Sequence, residues 1–132
     1  MVDASVWLSH LLGSDSNHRT SSRWLGRQLA EQRQLFCPAI ALAEVAGAMA
    51  RETDSDSAGR KAAEFILGLA NLSIVDVDGD LARAAYEIAA AARLRGMDAI
   101  YVALSRTLSL PLVSWDVQQI RRGGAVAPSS RV

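Results

Sequence analysis

The chain holds one cysteine, one lysine and two histidines in 132 residues, and each scarcity closes a route. Cys37 alone cannot form an internal disulfide, and it lies in an apolar run where a small buried thiol is common, so a reducing, cytoplasmic setting is expected. The only cysteine and the two histidines, His10 and His18, show no ligand spacing of the kind zinc needs. No apolar run approaches the roughly 18 to 20 residues that span a bilayer, and no basic segment followed by an apolar core opens the sequence, so neither a membrane nor export is expected. Net charge is also missing. Fourteen acidic residues cancel fourteen basic ones, so no overall field draws the protein to nucleic acid or to an anionic surface. Thirteen of the basic residues are Arg, which suits phosphate recognition and equally suits a bias in genomic base composition.

What is present is an ordinary globular composition. Half the residues are apolar and 21% are charged, which fits a single domain that buries about two thirds of its unfolded surface. Along the chain, short apolar or β-branched runs alternate with segments of helical periodicity. Met1-Val2 reads as the end of a short strand, followed by a helix from Ser5 to Leu12. The polar tract 14 to 22 is a loop and helix start, and that helix runs to about Gln32. Leu35–Cys37 is a strand, Pro38 suits the first turn of a helix to about Glu52, and a helix from Ser57 to Leu69 follows. The run 72 to 77 is a strand, and an Asp-capped helix reaches about Arg95, where Gly96 stops it. Asp98 to Leu108 is a helix, 110 to 115 a strand, and a short helix ends near Arg122 before an edge strand at 125 to 127. Strands separated by helices need crossover connections, so the expected fold is α/β: a three-layer α/β/α sandwich with a mainly parallel central sheet of four to five strands. Ligands in such sheets bind beyond the carboxyl ends of the strands.

Four carboxylates stand in unusual places. Asp3 and Asp116 lie at carboxyl ends of expected strands. Asp98 lies in the first turn of a helix, and Glu44 interrupts the apolar stretch CPAIALAEVAGAMA (37 to 50), which looks like a buried helix. Each Asp could simply cap a helix. Glu44 resists that reading, because it is mid-helix with no Lys or Arg three or four residues away. Small residues Ala43, Ala46, Gly47 and Ala48 would let its helix approach the sheet edge closely. Four converging acids without a cation would raise one another's pKa and oppose folding. A divalent metal resolves the conflict, and an all-oxygen donor set suits Mg²⁺ or Mn²⁺. Such a metal supports phosphodiester hydrolysis by activating water and neutralising phosphate charge.

The segments VDAS (2 to 5), ALAEVAGAMAR (41 to 51), LRGMDAIYVALS (94 to 105) and LVSWD (112 to 116) resemble the four signature blocks of the PIN-domain nucleases. More narrowly they are similar to VapC-type toxins, the ribonuclease half of bacterial VapBC toxin–antitoxin pairs. The resemblance runs from residue 1 to about 122 and rests on all four blocks in order. It implies that Asp3, Glu44, Asp98 and Asp116 hold one or two Mg²⁺ or Mn²⁺ ions and that RNA is cleaved by metal-activated water. It further implies a homodimer, a cognate VapB-like antitoxin whose tail occupies the groove near the acids, and growth inhibition through RNA cleavage. Ser5 matches a Ser or Thr beside the first acid and is expected either to support the metal shell or to start the helix. Tyr101 is read as a packing residue, and Arg51 as a contact for RNA phosphate or antitoxin, or as a solvated helix end. Only two residues precede Asp3, where the family has a longer apolar strand.

Two rival classes remain. A phosphoacceptor switch also clusters acids at strand ends, but it needs a Lys after a late strand, and Lys61 lies in a middle helix. A catalytically silent PIN-like binding module should have lost one or more of the acids, and all four are here.

Overall fold

The computed structural model describes residues 1–132. In chain order the elements are α1 (Ala4–Leu11), α2 (His18–Ala30), β1 (Leu35–Pro38), α3 (Ile40–Thr53), α4 (Asp56–Leu67), β2 (Leu72–Val75), α5 (Gly79–Ala92), α6 (Gly96–Thr107), β3 (Leu112–Val113), α7 (Val117–Gly123) and β4 (Ser129–Ser130). Side-chain oxygens start four of the helices. Asp3, Ser55, Asp78 and Asp116 each accept a backbone N–H from the first turn of α1, α4, α5 and α7, donors that would otherwise lack a partner.

All assigned strand pairings are parallel. β1 pairs with β2, with Leu35 opposite Leu72 and Pro38 opposite Val75, and β3 pairs with β4, with Leu112 opposite Ser129. The N-terminal segment joins the two pairs. Val2 donates its N–H to the Phe36 carbonyl at 2.8 Å, Asp3 donates to Val113 at 3.0 Å, and Val113 donates to Met1 at 2.9 Å. Met1–Asp3 therefore takes a central strand position, with Val2 1% exposed. The order across the sheet is β2, β1, Met1–Asp3, β3, β4.

The helices pack as two groups, α1 with α2 and α3, α3 with α4, then α5 with α6 and α6 with α7. This gives the expected helix–sheet–helix sandwich. Val2, Val6, Trp7, Leu25, Val45, Ile66, Val102, Leu104 and Leu112 fill the core at 2% exposure or less. No helix is long and apolar enough to cross a membrane.

Several local expectations are corrected. The edge strand lies at 129–130, not 125–127, because Leu112 donates its N–H to Pro128 and Ser114 donates to Ser130. The strand expected over 110–115 narrows to Leu112–Val113. Pro38 closes β1 instead of opening α3. Gly96 does not stop α5. Arg93 does, in a left-handed conformation at φ 53°, and Gly96 is the first residue of α6. The helix carrying Glu44 is not buried all round. It buries one stripe, Ala41, Val45 and Met49, at the spacing of one helix face, while Ala43 is exposed. Its small residues serve α4 more than the sheet edge: a Cβ added at Gly59 would lie 2.5 Å from the Ala46 carbonyl oxygen and 3.1 Å from the Ala50 Cβ.

Candidate active site

Asp3 leaves the central strand position and caps α1, which aims its carboxylate at the carboxyl ends of the strands. It is 6% exposed, a burial that costs several kcal/mol unless donors surround the oxygens. Four do. Oδ2 accepts from the Ser5 N–H at 2.9 Å, the Ser5 hydroxyl at 2.5 Å and the Ser114 hydroxyl at 3.1 Å, and Oδ1 accepts from the Gln119 amide at 3.1 Å. The same hydroxyls fix the opposite strand end: Trp115 donates its N–H to Ser5 Oγ and Asp116 donates its N–H to Ser114 Oγ, both at 2.9 Å.

Asp116 caps α7 through Oδ1, which accepts from the Gln119 N–H at 2.9 Å, and this leaves Oδ2 facing the cleft. There Arg95 donates from Nη2 at 2.6 Å. Asp98, in the first turn of α6, takes Arg95 Nε on Oδ2 at 2.7 Å and Nη2 on Oδ1 at 3.3 Å. Burial raises the Asp98 carboxyl above its ordinary value, Arg95 opposes that rise, and Asp116 and Asp3 add to it by repulsion. Glu44 reaches the same place from α3, where the Tyr101 hydroxyl donates to Oε2 at 2.5 Å. Burial again raises its carboxyl first, the Tyr101 bond opposes, and Asp3 and Asp98 push it further up. The electrostatic coupling thus joins carboxylates from four separate segments.

These four acids line one cleft of about 260 Å³, together with Ser5, Arg51 and Arg95. A neighbouring cleft of about 420 Å³ shares Ser5, Leu8 and Ala48 with it and continues past Trp115 and Asn17. The family profile described as the PIN domain matches residues 1–124. The chain belongs to the PIN domain family. The fold comparison agrees: a chain in the crystal structure of VapBC2 from Rickettsia felis, bound to a DNA fragment from its promoter, superposes with a TM-score of 0.74 at 12% sequence identity. The superposition covers 99% of this chain and 96% of that one. No curated protein sequence matches significantly.

In this PIN domain the donor set has the chemistry of a hard divalent cation, with carboxylate and hydroxyl oxygens and neither thiolate nor imidazole. Cys37 is fully buried, and His10 and His18 stack on each other, 6.4 Å between ring centroids, outside the cleft. No three acidic, histidine or cysteine side chains are gathered closely enough to share an ion as they stand. Asp98 and Asp116 are instead bridged by one guanidinium, that of Arg95.

The sequence reading grouped Asp3, Glu44, Asp98, Asp116 and Ser5 as one site and left Arg51 as either a contact for phosphate or antitoxin or a solvated helix end; all six line this cleft. It missed Arg95, Ser114 and Gln119, and it assigned Tyr101 to packing. Tyr101 does pack, at 1% exposure, but its hydroxyl is also the hydrogen-bond partner of Glu44. Arg95 had a signal, the three-residue spacing to Asp98 on a helix start. Gln119 had none, because its contact with Asp3 spans 116 residues of chain.

Proposed function

We propose that this PIN domain is the toxin of a toxin–antitoxin pair, an Mg²⁺- or Mn²⁺-dependent endoribonuclease that inhibits growth by cutting RNA. The observation that carries the reading is the convergence of Asp3, Glu44, Asp98 and Asp116 on one cleft at the strand ends. Those four carboxylates would hold one or two ions. A divalent cation bound there supplies an activated water and neutralises charge on the attacked phosphate and the leaving oxygen.

The rest of the machinery belongs to the chain. Ser5 and Ser114 hold Asp3 in one orientation, so its carboxylate is positioned before any ligand arrives. Tyr101 fixes Glu44, which would otherwise sample several rotamers on a half-buried helix flank. Arg51 lies exposed on the rim, where its guanidinium can take a phosphate of the substrate strand. The adjoining cleft, with Trp115 and Asn17, offers room for neighbouring nucleotides.

A VapB-like antitoxin is the proposed partner, supported by the fold shared with a chain of a VapBC complex. A homodimer is supported by the apolar cleft between α5 and α6, where Tyr86 and Met97 are left at the surface beside Ile100. A free buried thiol suits a cytoplasmic location. The silent-module alternative is disfavoured because all four acids are present and held by specific donors.

The test is cleavage of a mixed RNA pool by purified protein with Mg²⁺ or Mn²⁺, with EDTA, and with Asp3→Asn and Asp98→Asn. The expected result is metal-dependent cleavage that both substitutions abolish while circular dichroism stays native. Cleavage undiminished in both variants overturns the site, and no cleavage by the native protein with either metal overturns the enzyme.

A further inference from the structure

Arg95 stands at the residue before α6, and its side chain turns back over the cleft. Its two nitrogens, Nε and Nη2, engage three carboxylate oxygens, both of Asp98 and one of Asp116. These are the ion pairs that compensate the cleft, since Asp3 is served by neutral donors and Glu44 by a phenol. The guanidinium is nevertheless poorly anchored. Its side chain is 73% exposed, against 14% for Asp98 and 26% for Asp116, so it can leave without opening the core.

A divalent ion needs the oxygens that Arg95 now holds, and a guanidinium left within a few ångströms would repel it. The two cations are therefore alternatives at Asp98 and Asp116. We propose that Arg95 is an internal competitor of the metal: it clamps Asp98 to Asp116 in the metal-free protein and is displaced toward solvent when the ion binds. The inference rests on the proposed metal site and goes beyond it. It gives the chain two states, a metal-free one held together by Arg95 and a loaded one in which that guanidinium is released into solvent at the mouth of the cleft. It also sets the metal concentration at which the second state is populated, because displacing the clamp subtracts from metal affinity.

The experiment uses the full chain with Mn²⁺ alone as probe. Calorimetric titration gives the dissociation constant, and thermal melts are run in EDTA and at saturating Mn²⁺. Arg95→Gln is expected to bind Mn²⁺ about tenfold more tightly, the size of one or two exposed ion pairs in an equilibrium constant. It should melt below the native protein in EDTA, and that gap should close or reverse at saturating Mn²⁺. Arg95→Lys keeps the charge but loses the fork, so its affinity should fall between the two. Arg106→Gln removes the same charge from the last turn of α6 and should leave affinity unchanged. Equal or weaker Mn²⁺ binding by both Arg95→Gln and Arg95→Lys overturns this inference while leaving the metal site standing. No Mn²⁺ binding by the native protein or any variant overturns the proposed function itself.

Discussion

Replacing Tyr101 by Phe removes one atom from a bond that joins α6 to α3. The ring is 1% exposed and its hydroxyl donates to Glu44 Oε2 at 2.5 Å. Deleting the oxygen leaves a side chain of the same shape, so the cost is the bond itself and not a large cavity. Hydrogen bonds to charged groups contribute about 1.5–3 kcal/mol, and Glu44 is half-buried with access to water, so the lower end, about 1.5 kcal/mol, applies. A chain of 132 residues unfolds with an entropy of about 0.28 kcal/mol/K near 60 °C, so Tm should fall by about 5 °C. Glu44→Ala and the double variant complete a cycle in which the pair couples by about 1 kcal/mol or more. The pH dependence has a defined sign. The Tyr101 bond favours ionised Glu44 against a burial that raises its carboxyl, so the deficit of the Phe variant is full above Glu44's raised pKa and shrinks as pH falls through it. Melts of the four proteins at neutral pH and in acid test this. A Tyr101→Phe variant that melts within about 1 °C of the native protein, with no coupling to Glu44, refutes the reasoning.

Two further outcomes follow from packing. Gly59→Ala should gain about 1 kcal/mol of helix propensity and lose more, because its Cβ would meet the backbone oxygen of Ala46 at 2.5 Å, which no rotamer change can relieve. Urea unfolding should show a net loss of about 1–2 kcal/mol, whereas Gly26→Ala in α2, with nothing within 4 Å, should gain about 0.5–1 kcal/mol; equal effects at the two sites refute the α3–α4 contact. Burial pushes the Cys37 thiol up to about 12 from its ordinary 9. Ellman's reagent at pH 8 should therefore react only as the chain unfolds, and stability should decline as pH rises above 9, where the unfolded thiol ionises and the native one does not. Reaction within seconds in native buffer contradicts the burial.

Most of the fold was legible because local chemistry and tertiary structure agree. Asp3, Asp78 and Asp116 are recognisable helix starts, a short apolar run marks β1 and an apolar, β-branched one marks β2, and the alternation of strand and helix dictates parallel pairing. The misses fall where local signals compete. Gly96 was read as a stop because Gly favours helix ends, yet Arg93 ends α5 three residues earlier in a left-handed turn. The last strand forms four residues later than its apolar residues suggested, because its backbone pairs with Leu112 and Ser114 while Ala127 is buried in the core. In the site, the acids stood out because each broke an apolar pattern. Their partners did not. Gln119 and Ser114 are ordinary polar residues in sequence and acquire meaning only once Met1–Asp3 lies beside β3. The apolar stretch around Glu44 also misled, since alanines there permit contact with α4 without being buried themselves.

As proposed, Asp3, Glu44, Asp98 and Asp116 together hold a divalent metal. Crystals of the full chain soaked in millimolar Mn²⁺, with data collected for anomalous scattering, test it most directly. A manganese peak is expected in the cleft within bonding distance of carboxylate oxygens from at least two of the four residues, including Asp98, with Arg95 moved off it. A fully accessible cleft without manganese, with Arg95 still bridging Asp98 and Asp116, would contradict it.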